Sequence, residues 1–153
     1  MNVETLMTHN PKTCGPGDTL DRPAQLMWDN DCGCVPVVDE QRRPIGMVTD
    51  RDICMAAHLE GQPLRNCRVE DAMSSAPQIC HPQDSLTDAA KTMAAHKIRR
   101  LPVVDDQNHL LGIVSLNDLV LAGAGRGCED GEIASTLAQI SEHRPNRRSA
   151  EPN

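Results

Sequence analysis

Hydrophobic positions along this chain follow two rhythms, and the order of the rhythms repeats. Leu20, Ala24, Met27 and Trp28 are spaced four, three and one apart, which sets them on one face of a helix. Leu86, Ala90 and Met93 give matching spacing further on. Each helix is followed by two short β-rich runs, Cys34–Val38 then Ile45–Thr49, and Leu101–Val104 then Leu111–Ser115. Polar segments join the runs (Glu40-Gln41-Arg42-Arg43 and Asp106-Gln107-Asn108-His109), so each pair reads as a hairpin. A second helix follows in each half, over Arg51–Leu59 and Leu116–Ala122. Each half opens on an extended stretch, Lys12-Thr13-Cys14 or Gln78-Ile79-Cys80, that leads into a turn at Pro16 or Pro82. The predicted order is β-α-β-β-α, twice. Ser85 with Asp88 three residues later resembles a capping box. Pro23 falls in the first turn of its helix, where the early amides lack helical partners. Past Ala122, Gly123-Ala124-Gly125-Arg126-Gly127 reads as a flexible breaker. Glu132–Ile140 predicts a short amphipathic helix through Ile133, Leu137 and Ile140, and disorder is expected from Arg144 onward.

The two halves are copies. An offset of 66 residues carries Pro36-Val37-Val38-Asp39 onto Pro102-Val103-Val104-Asp105 and Gly46 onto Gly112. In the same register Val3-Glu4 meets Val69-Glu70, Met7 meets Met73, and Asp52 meets Asp118. A fixed period of this kind marks a duplicated unit. A three-stranded sheet with helices on one side leaves an apolar face open, which the other copy can cover. The expected fold class is therefore α/β (α+β), with two repeats forming an intramolecular pair about a pseudo-two-fold axis. The repeats are assigned to 1–62 and 63–124, a C-terminal extension to 125–143 and a tail to 144–153. One unit of about 60 residues buries too little surface to be comfortably stable alone, and two packed together would be more stable.

Composition narrows the function. Trp28 is the only aromatic residue, so the core must be built from Val, Leu, Ile, Met and Ala. The net charge of −7 and the missing aromatic platforms argue against a nucleic-acid partner. No apolar run approaches the roughly 18 residues of a membrane span. The first residues lack the charged and apolar regions of a secretion signal, so a cytoplasmic location is expected. Seven cysteines with no ladder-like spacing read as thiols in a reducing compartment.

One local motif occurs twice: Gly46-Met47-Val48-Thr49-Asp50-Arg51-Asp52 and Gly112-Ile113-Val114-Ser115-Leu116-Asn117-Asp118. It places a hydroxyl at a strand-to-helix turn and a carboxylate in the helix's first turn. Helix N-termini attract anions, a hydroxyl there can donate to phosphate, and the carboxylate can accept from both hydroxyls of a ribose. The same residues also fit a purely structural role, Thr49 and Ser115 as N-caps closed by Asp52 and Asp118. The two roles are compatible.

The duplicated Pro-Val-Val-Asp, turn, Gly-x-Val-Thr/Ser-x-x-Asp pattern resembles a tandem cystathionine-β-synthase (CBS) domain pair, or Bateman module, from Val3 to about Ala122. The resemblance implies two clefts between the sheets that hold adenosine-type ligands: AMP, ADP, ATP, or S-adenosylmethionine or NAD(H). It implies that Asp52 and Asp118 bind ribose hydroxyls and that Thr49 and Ser115 bind ribose or phosphate. Backbone around Thr13-Cys14 and Ile79-Cys80 would face adenine. It further implies a homodimer formed through the helices.

The two clefts are expected to differ. The second copy carries His96-Lys97-Ile98-Arg99-Arg100-Leu101 where the first has Asn30-Asp31-Cys32-Gly33-Cys34-Val35. Guanidinium groups clamp phosphate and Asp31 repels it. Arg100, then Arg99, are the candidate phosphate ligands, with the copy-one equivalent weaker or empty. Cys32-Gly33-Cys34 offers an alternative, a thiol-redox or metal sensor drawing on His9, His58, Cys67 or Cys128, although Cys-x-Cys is only half a structural zinc site. No nucleophile is paired with a general base and no Walker-type loop occurs, so an enzyme is not expected, nor is an obligatory cofactor or metal.

Overall fold

The computed structural model describes residues 1–125 and 130–141. Two three-stranded antiparallel sheets form the centre. In the first, β2 (Cys34–Val38) and β3 (Pro44–Thr49) make a hairpin; in the second, β5 (Arg100–Val104) and β6 (Leu110–Ser115) make its twin. Both hairpins carry an irregularity at the same place, between Val37 and Val38 and between Val103 and Val104. The aspartate that ends each Pro-Val-Val-Asp sets the turn. Asp39 accepts from the Gln41 and Arg43 amides at 2.9 Å each, while Asp105 accepts from Gln107 at 2.9 Å and His109 at 2.8 Å. Arg42 and Asn108 take the left-handed conformation these turns need, with φ of 59° and 66°.

Pro36 and Pro102 interrupt neither hairpin, because the open side of the strand uses their carbonyls. Pro36 O accepts from Cys14 N–H at 3.1 Å and Pro102 O from Cys80 N–H at 3.0 Å. The extended stretches Lys12–Cys14 and Gln78–Cys80 thus lie parallel to β2 and β5, each held by a single bridge rather than a ladder.

The third strands are exchanged. β1 (Thr8–His9), before the first helix, pairs with β6 of the second copy; β4 (Ser74–Ser75), after the first copy's last helix, pairs with β3. The cores follow the exchange. Val3 and Met7 pack with Met93, Leu101, Val103 and Val114, while Val69 packs with Leu20, Met27, Val35, Val37 and Val48. Gly46 and Gly112 permit it: a methyl group on Gly46 would stand 2.8 Å from Ser74 O, and one on Gly112 2.9 Å from Thr8 O.

The helices α1 (Asp21–Asp29), α2 (Asp50–Glu60), α4 (Leu86–His96) and α5 (Leu116–Gly125) flank the sheets, with a one-turn α3 (Val69–Ala72) before β4. Ser85 caps α4 through the Asp88 amide at 3.0 Å and donates to the Asp88 carboxylate at 2.7 Å. Pro23 is buried in the first turn of α1. Two expectations change. Trp28, placed by spacing on the buried face of α1, is 84% exposed, while Leu20, Pro23 and Met27, with Ala24 and Leu26 beside them, fill the core beneath that helix. The expected breaker is helical as far as Gly125, and Arg126 and Gly127 lie outside the described residues. The C-terminal helix α6 runs over Asp130–Ser141, packs on α4 and α5 and buries Ile140, while Leu137 is 39% exposed. Ile133's side chain and the tail from Arg144 lie outside what is described.

Candidate functional site

At the end of β3 the chain turns from extended Thr49 into α2, and the turn closes on itself. Thr49 Oγ1 accepts the Asp52 N–H at 3.1 Å, and Asp52 Oδ2 accepts the Thr49 N–H at 2.9 Å. The second copy repeats this at α5. Asp118 Oδ2 accepts from Ser115 N–H at 2.8 Å and from the Ser115 hydroxyl at 2.6 Å, and Ser115 Oγ accepts from Asp118 N–H at 3.2 Å. The capping role is therefore filled at both sites. It consumes one oxygen of each carboxylate; Oδ1 of Asp52 and of Asp118 keeps its accepting capacity, and the Thr49 hydroxyl keeps its proton to donate. All four residues are half-buried.

The strand starts meet across the pseudo-two-fold. Gly33 O accepts from Asp50 N–H at 3.1 Å, as Arg99 O accepts from Leu116 N–H at 2.8 Å. Arg100 is paired through its backbone with Ser115, but its guanidinium leans toward the first copy. A methyl group on Gly33 would lie 3.7 Å from Arg100 Nη2 and 3.1 Å from Asp50 Oδ2. Arg100 is half-buried and makes no ion pair among the described residues. Sequence order associates Arg100 with the Ser115–Asp118 corner, whereas its guanidinium ends near Gly33 and Asp50 of the first copy. Arg99 is exposed, and its carbonyl accepts the Leu116 N–H.

Cys34 registers the same neighbourhood. Burial pushes its thiol up to about 12; the Arg100 guanidinium opposes the shift, and Cys32, Asp52 and Asp50 add to it. Arg100, Asp50, Asp52, Cys32 and Cys34 thus share one corner. Asp50 and Gly33 are the residues that motif reasoning passed over. The signal available was that Asp50 faces Leu116 in the repeat register, a carboxylate against an aliphatic side chain.

The stretches expected against a base divide. Cys14 and Cys80 are buried, and each spends both backbone groups on its hairpin: Val38 N–H bonds Cys14 O at 2.9 Å, and Val104 N–H bonds Cys80 O at 3.0 Å. Burial pushes the Cys14 thiol up to about 11 and that of Cys80 to about 12. Thr13, half-buried, and Ile79, 37% exposed, are the members left to meet a ligand. Cys32 is exposed and Cys34 buried, and Cys67 lies in the first core. Among the described residues no group of three or more His, Cys, Asp or Glu is placed to hold a metal ion; Cys128 lies outside them. No helix among them is long and apolar enough to cross a membrane. A cavity of about 240 Å³ lies between α2 and the segment 66–72, lined by Leu20, Asp52, Met55, Ala56, Cys67 and Arg68 among others.

The CBS domain family model matches residues 3–59 and again 69–125. A CBS domain-containing protein, YhcV of Bacillus subtilis, is 42% identical over 120 residues, spanning 78% of this chain and 84% of that one. The crystal structure of CBSX2 of Arabidopsis thaliana in complex with AMP shares 29% identity and a TM-score of 0.70, covering 81% of this chain and 96% of that one. Hypoxic Response Protein I, crystallised with two coordinated zinc ions, shares 26% identity and a TM-score of 0.71 over 79% of this chain and 98% of that one. The chain belongs to the CBS family, and it is a tandem CBS pair.

Proposed function

We propose that this CBS pair is a regulatory module that binds an adenosine-type nucleotide between its repeats and passes the binding state to a partner protein or to its own dimer. The observation that carries the reading is the half-buried guanidinium of Arg100, without an ion pair among the described residues, beside Gly33 and Asp50 at the turn into α2, in whose first turn Asp52 and Thr49 retain a free carboxylate oxygen and a free hydroxyl proton. A nucleoside monophosphate supplies both complements, a vicinal diol for Asp52 and a phosphate for Arg100, with Thr13 and Ile79 at the base. Asp118 and Ser115 offer the ribose half of a second site. Its counterpart to Arg100 is Cys34, a neutral thiol, so that site binds phosphate less well. The AMP complex of CBSX2 supports AMP as the first ligand to test. The protein acts by binding without turnover, in the cytoplasm and as a homodimer.

Calorimetry with AMP, ATP, NADH and S-adenosylmethionine tests the reading. At about 100 times its Kd a ligand adds roughly 2.7 kcal/mol to stability, a melting shift of several degrees for this size. Arg100→Ala is expected to weaken AMP at least tenfold and Asp52→Asn to weaken both AMP and adenosine. An Arg100→Ala protein that binds AMP as tightly as the parent would refute the assignment. Stabilisation by zinc alone would move the function to the metal-sensing reading that Cys32 and Cys34 offer.

A further inference from the structure

We propose that Asp50 sets the charge of ligand that the Thr49–Asp52 cleft accepts, admitting an adenosyl group with at most one phosphate and rejecting di- and triphosphates. The inference rests on the adenosine reading above and goes beyond it to the ligand class.

Asp50 is the first residue of α2, and its Oδ1 accepts from the neighbouring Arg51 N–H at 2.8 Å. Its Oδ2 faces the same side of Gly33 as the Arg100 guanidinium, yet the two groups form no ion pair. Arg100 Nη2 and Asp50 Oδ2 thus flank Gly33, with Asp52 in the first turn of the same helix and another carboxylate, Asp31, exposed in the loop before β2. A helix N-terminus ordinarily draws anions with its free amides and dipole. Here that attraction is already met from within, by Asp50 Oδ1 on Arg51 N–H and by the Asp52–Thr49 box. A single phosphate meets the Arg100 fork. Each further phosphate adds negative charge beside Asp50, and the neighbouring Arg51 stands about 100° further round the helix. The second copy shows that the turn does not need this carboxylate: Leu116 holds the equivalent place at the start of α5.

Titration calorimetry on the full chain, without magnesium and at fixed ionic strength, tests the proposal with AMP and ATP against the parent, Asp50→Asn and Asp50→Leu. The parent is expected to prefer AMP by tenfold or more. Both variants are expected to tighten ATP at least about fivefold more than AMP, the scale of one like-charge pair at an exposed site, and added salt narrows the parent's preference. Melting curves of the two variants confirm that they fold. ATP binding to the parent as tightly as AMP, or variants that shift both nucleotides equally, would overturn the role of Asp50 and leave the adenosine reading intact. A parent that binds neither nucleotide nor adenosine overturns that reading, and this inference with it.

Discussion

Replacing Gly112 with alanine tests whether the repeats exchange their edge strands. In the register of the second sheet Gly112 faces His9. A methyl group there would stand 2.8 Å from Met7 Sδ and 2.9 Å from the Thr8 carbonyl oxygen. The thioether is the end of a flexible side chain and can swing aside. The carbonyl is backbone and yields only if β1 shifts. If β1 stays, the strain is that of overpacking by one methyl, about 1–3 kcal/mol. If β1 leaves, the chain gives up the burial of Val3 and Met7, about 1.5–3 kcal/mol each, and bonds such as Asn10 N–H to Leu111 O at 3.0 Å and Glu4 N–H to Pro82 O at 2.9 Å. Strain is the cheaper outcome, so β1 stays and stability falls by about 1–3 kcal/mol. Roughly 2–4 °C is lost per kcal/mol at this size, giving a melting drop of about 2–12 °C. Gly46→Ala is expected to be worse, because its methyl group would meet Met73 Sδ at 2.5 Å and Ser74 O at 2.8 Å. Gly131→Ala, with open space around it, serves as the control that loses nothing. Calorimetry reads the melting points, and hydrogen exchange at Asn10 and Glu4 reads whether β1 stays docked. A Gly112→Ala protein as stable as the parent would mean that no strand from the first copy lies against β6.

Thr49→Ala and Ser115→Ala should each lose about 1 kcal/mol of stability with the cap, and the double variant should lose the sum, since the caps sit in different halves; urea midpoints check both. The buried thiols of Cys14, Cys34 and Cys80 ionise near 11, 12 and 12 in the fold against 9.0 when free. The unfolded chain therefore releases these protons first, and stability, whole below pH 9, falls as the pH rises toward 11–12; an unchanged urea midpoint between pH 8 and 10.5 would contradict their burial. At pH 8 a thiol reagent should modify exposed Cys32 and Cys54 and spare those three until the protein unfolds. The turn carboxylates Asp39 and Asp105 are held below the usual 3.8, first by the amides of Arg43 and His109. Their contribution is present above that value and fades as the pH falls through the lowered one, so hydrogen exchange at His109 should quicken in Asp105→Ala at pH 7 and in the parent only in strong acid.

Both hairpins were legible in the sequence because Val35, Val37 and Val48, and their partners Leu101, Val103 and Val114, form apolar runs that end in turn residues. The caps were legible for the same kind of reason, since a hydroxyl followed three residues later by a carboxylate is local chemistry. The exchange of β1 and β4 was not. Thr8-His9 and Ser74-Ser75 are two-residue strands with exposed side chains, and so short a polar segment has no period to read. An offset of 66 shows which residues are alike, not which ones touch; Thr8 and Ser74 are alike and sit on different sheets. A trace of the exchange was still present in Gly46 and Gly112, identical residues in mid-strand, where a glycine marks another backbone passing close. Trp28 misled because helical spacing gives a face and not its depth. Arg100 shows a related limit of spacing: its backbone belongs to β5, but its guanidinium ends near Gly33 of the first copy.

These crossings bear on why the unit occurs as a pair. A cut after residue 62 would strip β3 of β4 and remove Val69, fully buried in the first core, while the second piece would lose Val3, Met7 and β1. Neither repeat, as written in the sequence, encodes a whole sheet or a whole core. The candidate site crosses in the same sense, since Asp50, Asp52 and Thr49 come from one repeat and Arg100 from the other. β3 links the two crossings: it carries Thr49 at its end and pairs with β4, and four residues past β4 the chain reaches Ile79 and then Cys80, which bridges Val103 on β5, three positions along the strand from Arg100. A ligand that draws Arg100 toward Asp52 therefore acts on two sheets that already share their edges, so its binding energy is exerted on the joint between the repeats and not on one cleft wall.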